Sequence, residues 1–200
     1  MLGIGAAPEG SRTTLLPDWV EEASRGPLAK SRVGQLAFAP IGKMLAVLRT
    51  SPTGHAMAAF YRLGPRVEPK GNIEFPTTVN NLAWSPDATL LAAACEDHTV
   101  QLWSMETRHL VHTLAGHKRG VTAVAFSPDG RTLGSGDGRT IELWHVLTGR
   151  QMLTVSRETK LGEPLRWLAF AADGTRLLAA DAGGRVQFFL APLTSKAAAQ

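Results

Sequence analysis

Apolar and polar residues alternate along most of this chain in short runs, and turn chemistry breaks the runs every few residues. Val121-Thr-Ala-Val-Ala-Phe126 is β-prone, and Ser127-Pro-Asp-Gly130 carries the residues of a tight turn. Thr132-Leu-Gly-Ser135 reads as a second strand and Thr140-Ile-Glu-Leu-Trp144 alternates as a third. After Thr148-Gly149, the run Gln151-Met-Leu-Thr-Val155 supplies a fourth. No helical pattern of about ten residues or more intervenes. The unit predicts an antiparallel sheet of four strands.

The same phrase recurs. QLAFAPIGKMLAV from Gln35, NLAWSPDATLLAA from Asn81, AVAFSPDGRTLGS from Ala123 and WLAFAADGTRLLA from Trp167 are versions of one sentence. The steps from Pro40 to Pro86, Pro128 and Ala172 are 46, 42 and 44 residues. A period in the low forties with several short strands per unit fits the blades of a β-propeller, about 40–45 residues each, and fits helical repeats poorly. The expected fold class is therefore all-β, a β-propeller of about four blades, each a four-stranded antiparallel sheet. The expected blades are 33–75, 76–117, 118–160 and 161–193, with 1–32 as a flexible lead and 194–200 as a disordered tail.

Gly116-His117, the Ser-Pro-Asp-Gly turn and the strand ending Ile141-Glu-Leu-Trp144 resemble a WD repeat, with His145 where the family has its Asp. Val100-Gln-Leu-Trp103 closes the second blade in the same way, with Ser104 at the Asp position. The resemblance runs over about residues 33–193. It implies a buried hydrogen-bond network of His, Ser or Thr, Asp and Trp that locks a blade. In blade three the candidates are His117, Ser135, Asp137 and Trp144; the turn between its second and third strands is one residue shorter than in blade two. Blade two keeps Asp97 and Trp103, while Phe75 and Ala93 take the His and Ser positions. Blades one and four have lost nearly all of it, with Phe189 at the Trp position of blade four. Complete apolar replacement is physically sensible, because a half-satisfied polar network is costly.

Blade one carries an extended turn, Arg49-Thr-Ser-Pro-Thr-Gly54, before a third strand at about His55–Arg62. Blade four is expected to lack an outer strand of its own. In the family an N-terminal segment commonly completes the last blade, and Thr13–Leu16 or Pro27–Val33 are the candidates here; a short helix is expected near Asp18–Glu22. An arc of four blades leaves one sheet face open at each end, roughly 350 Å² apiece. Monomers seldom expose more than one patch of that size. Three solutions stay open: a closed four-bladed ring, a homodimer completing eight blades, or a piece of a longer propeller.

Composition adds limits. Hydrophobic residues make up 44% and charged residues 19%, which is ordinary for a globular chain. The net charge of +4 is spread without a basic run, so nucleic acid is not an expected partner. The lone cysteine, Cys95, permits no internal disulfide and reads as a buried small residue. No apolar run reaches the roughly 20 residues of a membrane helix, and Gly3, Gly5, Pro8 and Glu9 break any secretory core, so a cytoplasmic setting without membrane contact is the expectation. No metal is expected, because His109 and His112 lie an odd number of residues apart and no other pair has ligand spacing. Gly134-Ser-Gly-Asp-Gly138 opens no helix and reads as a turn, not a phosphate loop. Asp87, Asp129 and Asp173 fall in equivalent turns of separate blades. Phe38, Trp84, Phe126 and Phe170 share one repeat position and read as core between blades, with Trp167 a lesser core candidate or a groove residue.

No inward cluster of acids or histidines suggests catalysis, and no cofactor is implied. The family resemblance implies a rigid platform for a protein or peptide partner. Its binding face is built from the loops before the first strand and between the second and third strands of each blade. Here those loops bring Lys118, Arg119, Glu96, His98, Arg139 and Arg185, a partly basic set that suits an acidic or phosphorylated peptide.

Overall fold

The computed structural model describes residues 32–156 and 163–190. The expected flexible lead, closing strand, short helix and tail fall wholly or almost wholly outside them. Fifteen strands follow in chain order and no helix occurs among the described residues. Blade one holds β1 (Arg32–Phe38), β2 (Met44–Thr50), β3 (Ala56–Arg62) and β4 (Glu68–Phe75). Blade two holds β5 (Val79–Trp84), β6 (Leu90–Cys95), β7 (Thr99–Ser104) and β8 (Leu110–Ala115). Blade three holds β9 (Ala123–Phe126), β10 (Thr132–Gly136), β11 (Thr140–His145) and β12 (Arg150–Ser156). Blade four holds β13 (Leu165–Phe170), β14 (Arg176–Asp181) and β15 (Val186–Leu190). Among the described residues every sheet is an antiparallel meander in sequence order, four-stranded in the first three blades and three-stranded in the fourth.

The recurring turn after each first strand is held by its own side chains. Asp129 accepts from the Arg131 N–H and from the Ser127 hydroxyl, and Ser127 Oγ accepts from the Thr132 N–H at 3.0 Å. Asp87 and Ser85 repeat the arrangement in blade two, and Asp173 keeps the Thr175 half of it in blade four. The fourth turn residue is left-handed in every blade: Gly130 (φ 70°), Gly174 (φ 72°), Ala88 (φ 57°) and Gly42 (φ 78°), which in blade one is followed by a second left-handed residue, Lys43 (φ 54°). Only glycine takes that conformation without a Cβ clash.

Alternation sends one set of side chains from each sheet toward the following blade and the other toward the preceding one. On the inner three strands of blades two and three both sets are largely buried, so the core is a series of layers between blades. Phe60, Ala58 and Phe75 of blade one pack with Leu82, Trp84 and Leu91 of blade two. Leu102 and Val100 meet Val124, Leu133 and Trp144. Leu143 and Ile141 meet Leu165, Leu168 and Leu177. The second strand supplies small residues for this approach: a Cβ on Gly136 would run into Leu165 Cδ2, and one on Gly134 would lie 3.2 Å from Leu168 Cδ2. Polar clamps stitch the first strands together. Gln35 accepts from Leu82 N at 2.6 Å and donates to Leu82 O at 3.0 Å. Trp84 Nε1 donates to Ala37 O at 2.9 Å, and Asn81 Oδ1 accepts from Val124 N at 3.2 Å.

Two expectations need correction. Of the four first-strand aromatics only Trp84, Phe126 and Phe170 are packed between blades; Phe38 is 64% exposed, because no described blade precedes the first. Trp167 is likewise exposed on the far side of blade four, and the first strand of blade three is shorter than expected, beginning at Ala123.

Replacing Ala88 with glycine removes a left-handed Cβ from a turn whose counterpart is already Gly130. The expected gain is about 0.5–1 kcal/mol, less than the left-handed penalty because the unfolded chain also gains freedom. Urea unfolding with an unchanged m-value measures it; a loss of stability is the contrary result.

Candidate interaction face and the buried lock beneath it

The loops entering each first strand and those joining second to third strands lie at one end of the meanders, and hydrogen bonds tie them together. Within blades, Glu96 N donates to Thr78 O, Thr122 N to Gly136 O and Ala182 N to Pro164 O. Between blades two and three, Val121 N donates to Cys95 O at 3.0 Å and Asn80 Nδ2 to Val121 O at 2.9 Å. Between blades one and two, Thr78 Oγ1 donates to Gly54 O at 3.1 Å, which pins the extended turn of blade one to its neighbour. Rim loops fastened this way cost little further order when a partner arrives.

Lys118 and Arg119 stand exposed on the loop before β9, Arg139 on the β10–β11 turn, Arg185 on the β14–β15 turn and His98 on the β6–β7 turn. His98 takes a left-handed φ of 73°, and the Arg185 N–H donates to Asp181 Oδ1 at 2.9 Å. Glu96 differs from these. Its carboxylate accepts from Asn80 Nδ2 at 2.8 Å and lies 2.7 Å from where a Cβ on Gly120 would project. It braces the rim of blade two and lies against Gly120 of the following loop as well as facing solvent.

Beneath the rim of blade three, His117, Ser135, Asp137 and Trp144 come together, all buried. Trp144 Nε1 donates to Ser135 Oγ at 2.7 Å, and Ser135 Oγ lies 2.7 Å from His117 Nε2. His117 Nδ1 faces Asp137 Oδ2 at 3.4 Å. Asp137 Oδ1 accepts from the N–H groups of Arg139 (2.6 Å) and Thr140 (2.7 Å). The network assigns the protons: Nδ1–H points at Asp137, so Nε2 is free to accept the Ser135 proton while Ser135 accepts from the indole. Burial works against the charge of Asp137, but the His117 and backbone donors overcome it and hold its pKa at about 2.

The Ser–His–Asp order invites comparison with a nucleophilic triad, but the geometry serves a different end. Ser135 is completely buried and its oxygen already receives the indole N–H. The cluster joins the end of β8 to β10 and β11 and leaves no approach for a substrate. Cys95 offers no alternative nucleophile: burial, aided by the Asp97 charge, pushes its thiol up to about 12. Among the described residues no three of His, Cys, Asp and Glu come together as a metal site.

In blade two the structure places the expected residues apart. Asp97 is exposed and caps its own turn through Thr99 N and Oγ1, because Phe75 stands where a histidine would reach it. Phe75 instead meets Trp103 edge-on, with ring centroids 5.7 Å apart. Trp103 Nε1 donates to Gln101 Oε1 at 3.1 Å, so a residue absent from the expected network accepts the indole. Glu142 holds the matching position in blade three. It is buried, its Oε2 has no hydrogen-bond partner and lies 3.8 Å from His117 Nε2, and burial pushes its pKa up. Gln101 and Glu142 were detectable as polar residues flanked by Val100 and Leu102 or Ile141 and Leu143 in strands otherwise closed to solvent.

Comparison with known proteins agrees with this geometry. The family model "WD domain, G-beta repeat" matches residues 69–104 and 108–145. An uncharacterized WD repeat-containing protein of Synechocystis is 37% identical over 110 residues, 52% of this chain and 30% of that protein. Apoptotic protease-activating factor 1 of Danio rerio is 33% identical over 105 residues, 51% of this chain and 8% of that protein. Protein groucho of Drosophila melanogaster is 33% identical over 72 residues, 36% of this chain and 10% of that protein. The chain spans less than a third of the length of each. Among solved structures, hydrazine synthase of Kuenenia stuttgartiensis superposes with a TM-score of 0.68 at 15% identity, over 79% of this chain and 46% of that one.

Two sets of outcomes are expected. Ser135→Ala strands the imidazole and the indole in a dry site and costs about 2–4 kcal/mol. The triple change His117→Phe, Ser135→Ala and Glu142→Gln, which copies blade two, costs less than the sum of its parts; strict additivity in denaturant unfolding refutes the shared network. The second concerns pH. Asp137 has a folded pKa below its ordinary 3.8, so its contribution of about 2 kcal/mol is present above pH 4 and disappears as pH falls toward 2. Glu142 has the opposite sign: its contribution is present below 4.5 and is lost as pH rises through its folded pKa. Asp137→Asn should flatten the acid limb of stability against pH, and Glu142→Gln should raise stability at pH 7.

Proposed function

Because the chain belongs to the WD-repeat family, we propose that it is a non-catalytic platform that binds a protein or peptide on the rim carrying Lys118, Arg119, His98, Arg139 and Arg185. Repeats of this family generally mediate interactions between proteins, and most members are not enzymes. The observation that carries the finer reading is the loop rim itself, fastened within and between blades while presenting exposed cations. Its sign favours an acidic or phosphorylated peptide, since phosphate adds charge and strong acceptor oxygens. A cytoplasmic setting belongs to the same reading, as does a second copy of the chain that completes the ring.

A second reading is supported by length. The chain spans less than a third of the relatives it matches, which favours a propeller segment working within a larger multidomain protein. Both readings use the same rim.

Changing Lys118, Arg119 and Arg139 together to Glu should weaken binding of an acidic phosphopeptide at least about tenfold, since each exposed contact contributes roughly 0.5–1 kcal/mol. Fluorescence polarisation against a peptide array, repeated at raised salt, measures it. Equal binding by the wild-type and triple-variant chains rules out this rim.

A further inference from the structure

The three junctions between blades are built alike, and their pattern identifies what the two open ends lack. Phe60, Leu102, Leu143 and Phe188 hold one repeat position, each paired across the sheet with Ala46, Ala92, Gly134 or Leu178. The first three point into the following blade and are at most 2% exposed; Phe188 is 67% exposed. Val186 repeats the contrast against Ala58, Val100 and Ile141, which are fully buried. Trp167, 73% exposed, occupies the first-strand position from which Gln35 and Asn81 reach the next blade.

At the other end the complementary positions are open. Leu82, Val124 and Leu168 are 9% exposed or less and lie on the preceding blade; Leu36, their counterpart, is 54% exposed, and Phe38 beside it is open too. The remainder of that face is already buried at Met57, Ala59 and Tyr61. The open part is the part a junction uses. In each internal junction the first strand of the following blade lies against the first two strands of the preceding one: β5 on β1 and β2, β9 on β5 and β6, β13 on β9 and β10.

We propose that a second copy of this chain docks head to tail, its β1 with Leu36 and Phe38 seated on the Trp167, Val186 and Phe188 face of blade four. The same contact made in return closes a two-fold ring of eight blades. The pairing is heterologous at each junction, because the two open faces are unlike and each is the type that the other meets inside the molecule. Two such junctions bury roughly 1,000–1,400 Å² in all, allowing for the part of blade one already covered, which lies near the lower end of a specific interface. The inference deepens the second-copy element of the proposed function and rests on it.

Light scattering coupled to size exclusion should give twice 21.4 kDa for the full chain. Trp167→Asp with Phe188→Asp, and separately Leu36→Asp with Phe38→Asp, should each give the monomer mass. Mixing the two variants should restore a dimer through the one junction that keeps both faces intact. Circular dichroism and melting check that the variants fold, and the single changes Phe188→Lys and Phe38→Lys serve if the doubles do not. A monomeric wild-type chain, its faces covered by its own segments or left for blades of a longer protein, overturns the proposal. Dimeric variants overturn it as well, and so does a mixture that stays monomeric. Peptide binding at the rim is read separately: a monomer that binds acidic peptides overturns the ring and leaves the platform standing, and a dimer that binds none does the reverse.

Discussion

A sheet whose two faces are both apolar has to be covered twice, and this requirement governs the molecule. Each of blades two and three places alternating residues into two separate layers, so neither has a core of its own. Stability is then shared between neighbours in the manner of a repeat array, where a unit is only as secure as the unit beside it. The small residues at Ala92, Ala94, Gly134 and Gly136 follow directly, because the next blade must come close enough to exclude water. Rim loops can project rigidly because the layers below them are dry and their backbones are pinned across the junctions.

Polar groups survive within this arrangement only where they are answered. Blade three answers four of them with one another, and the indole, hydroxyl, imidazole and carboxylate form a chain in which each donor has one acceptor. Blade two solves the same problem with fewer parts, an edge-on Phe75 and a Gln101 acceptor for the same indole. Glu142 shows what a partial answer costs. It occupies the place of Gln101, but the indole beside it is already satisfied by Ser135, so its oxygen is left to burial alone.

The blade count, the meander and the membership of the blade-three network were legible because each is written locally: a repeated phrase, a turn signature, a Trp at a fixed distance from a Ser. Asp137 was legible despite the shortened turn, since the β10–β11 loop still delivers its carboxylate to His117. Other features depend on what lies across a junction, and a single strand does not record that. The clamps from Gln35, Asn80 and Asn81 join residues more than forty positions apart. The exposure of Phe38 and Trp167 follows from the absence of a further blade among the described residues, not from any property of their own strands, which read like their buried counterparts. Asp97 carried the right letter in the right place and lost its role through Phe75, two strands away.

The two matched repeats do not coincide with the blades. Residues 69–104 begin in the outer strand of blade one and end with the third strand of blade two, and 108–145 make the same step one blade on. Each hereditary unit therefore carries the last strand of one sheet and the first three of the next. Duplicating such a unit adds a blade whose fastening to both neighbours is covalent from the outset, and deleting one removes a blade without stranding any strand. Lineages built this way can change the number of blades in whole steps, while the loops on the rim diversify independently of that count.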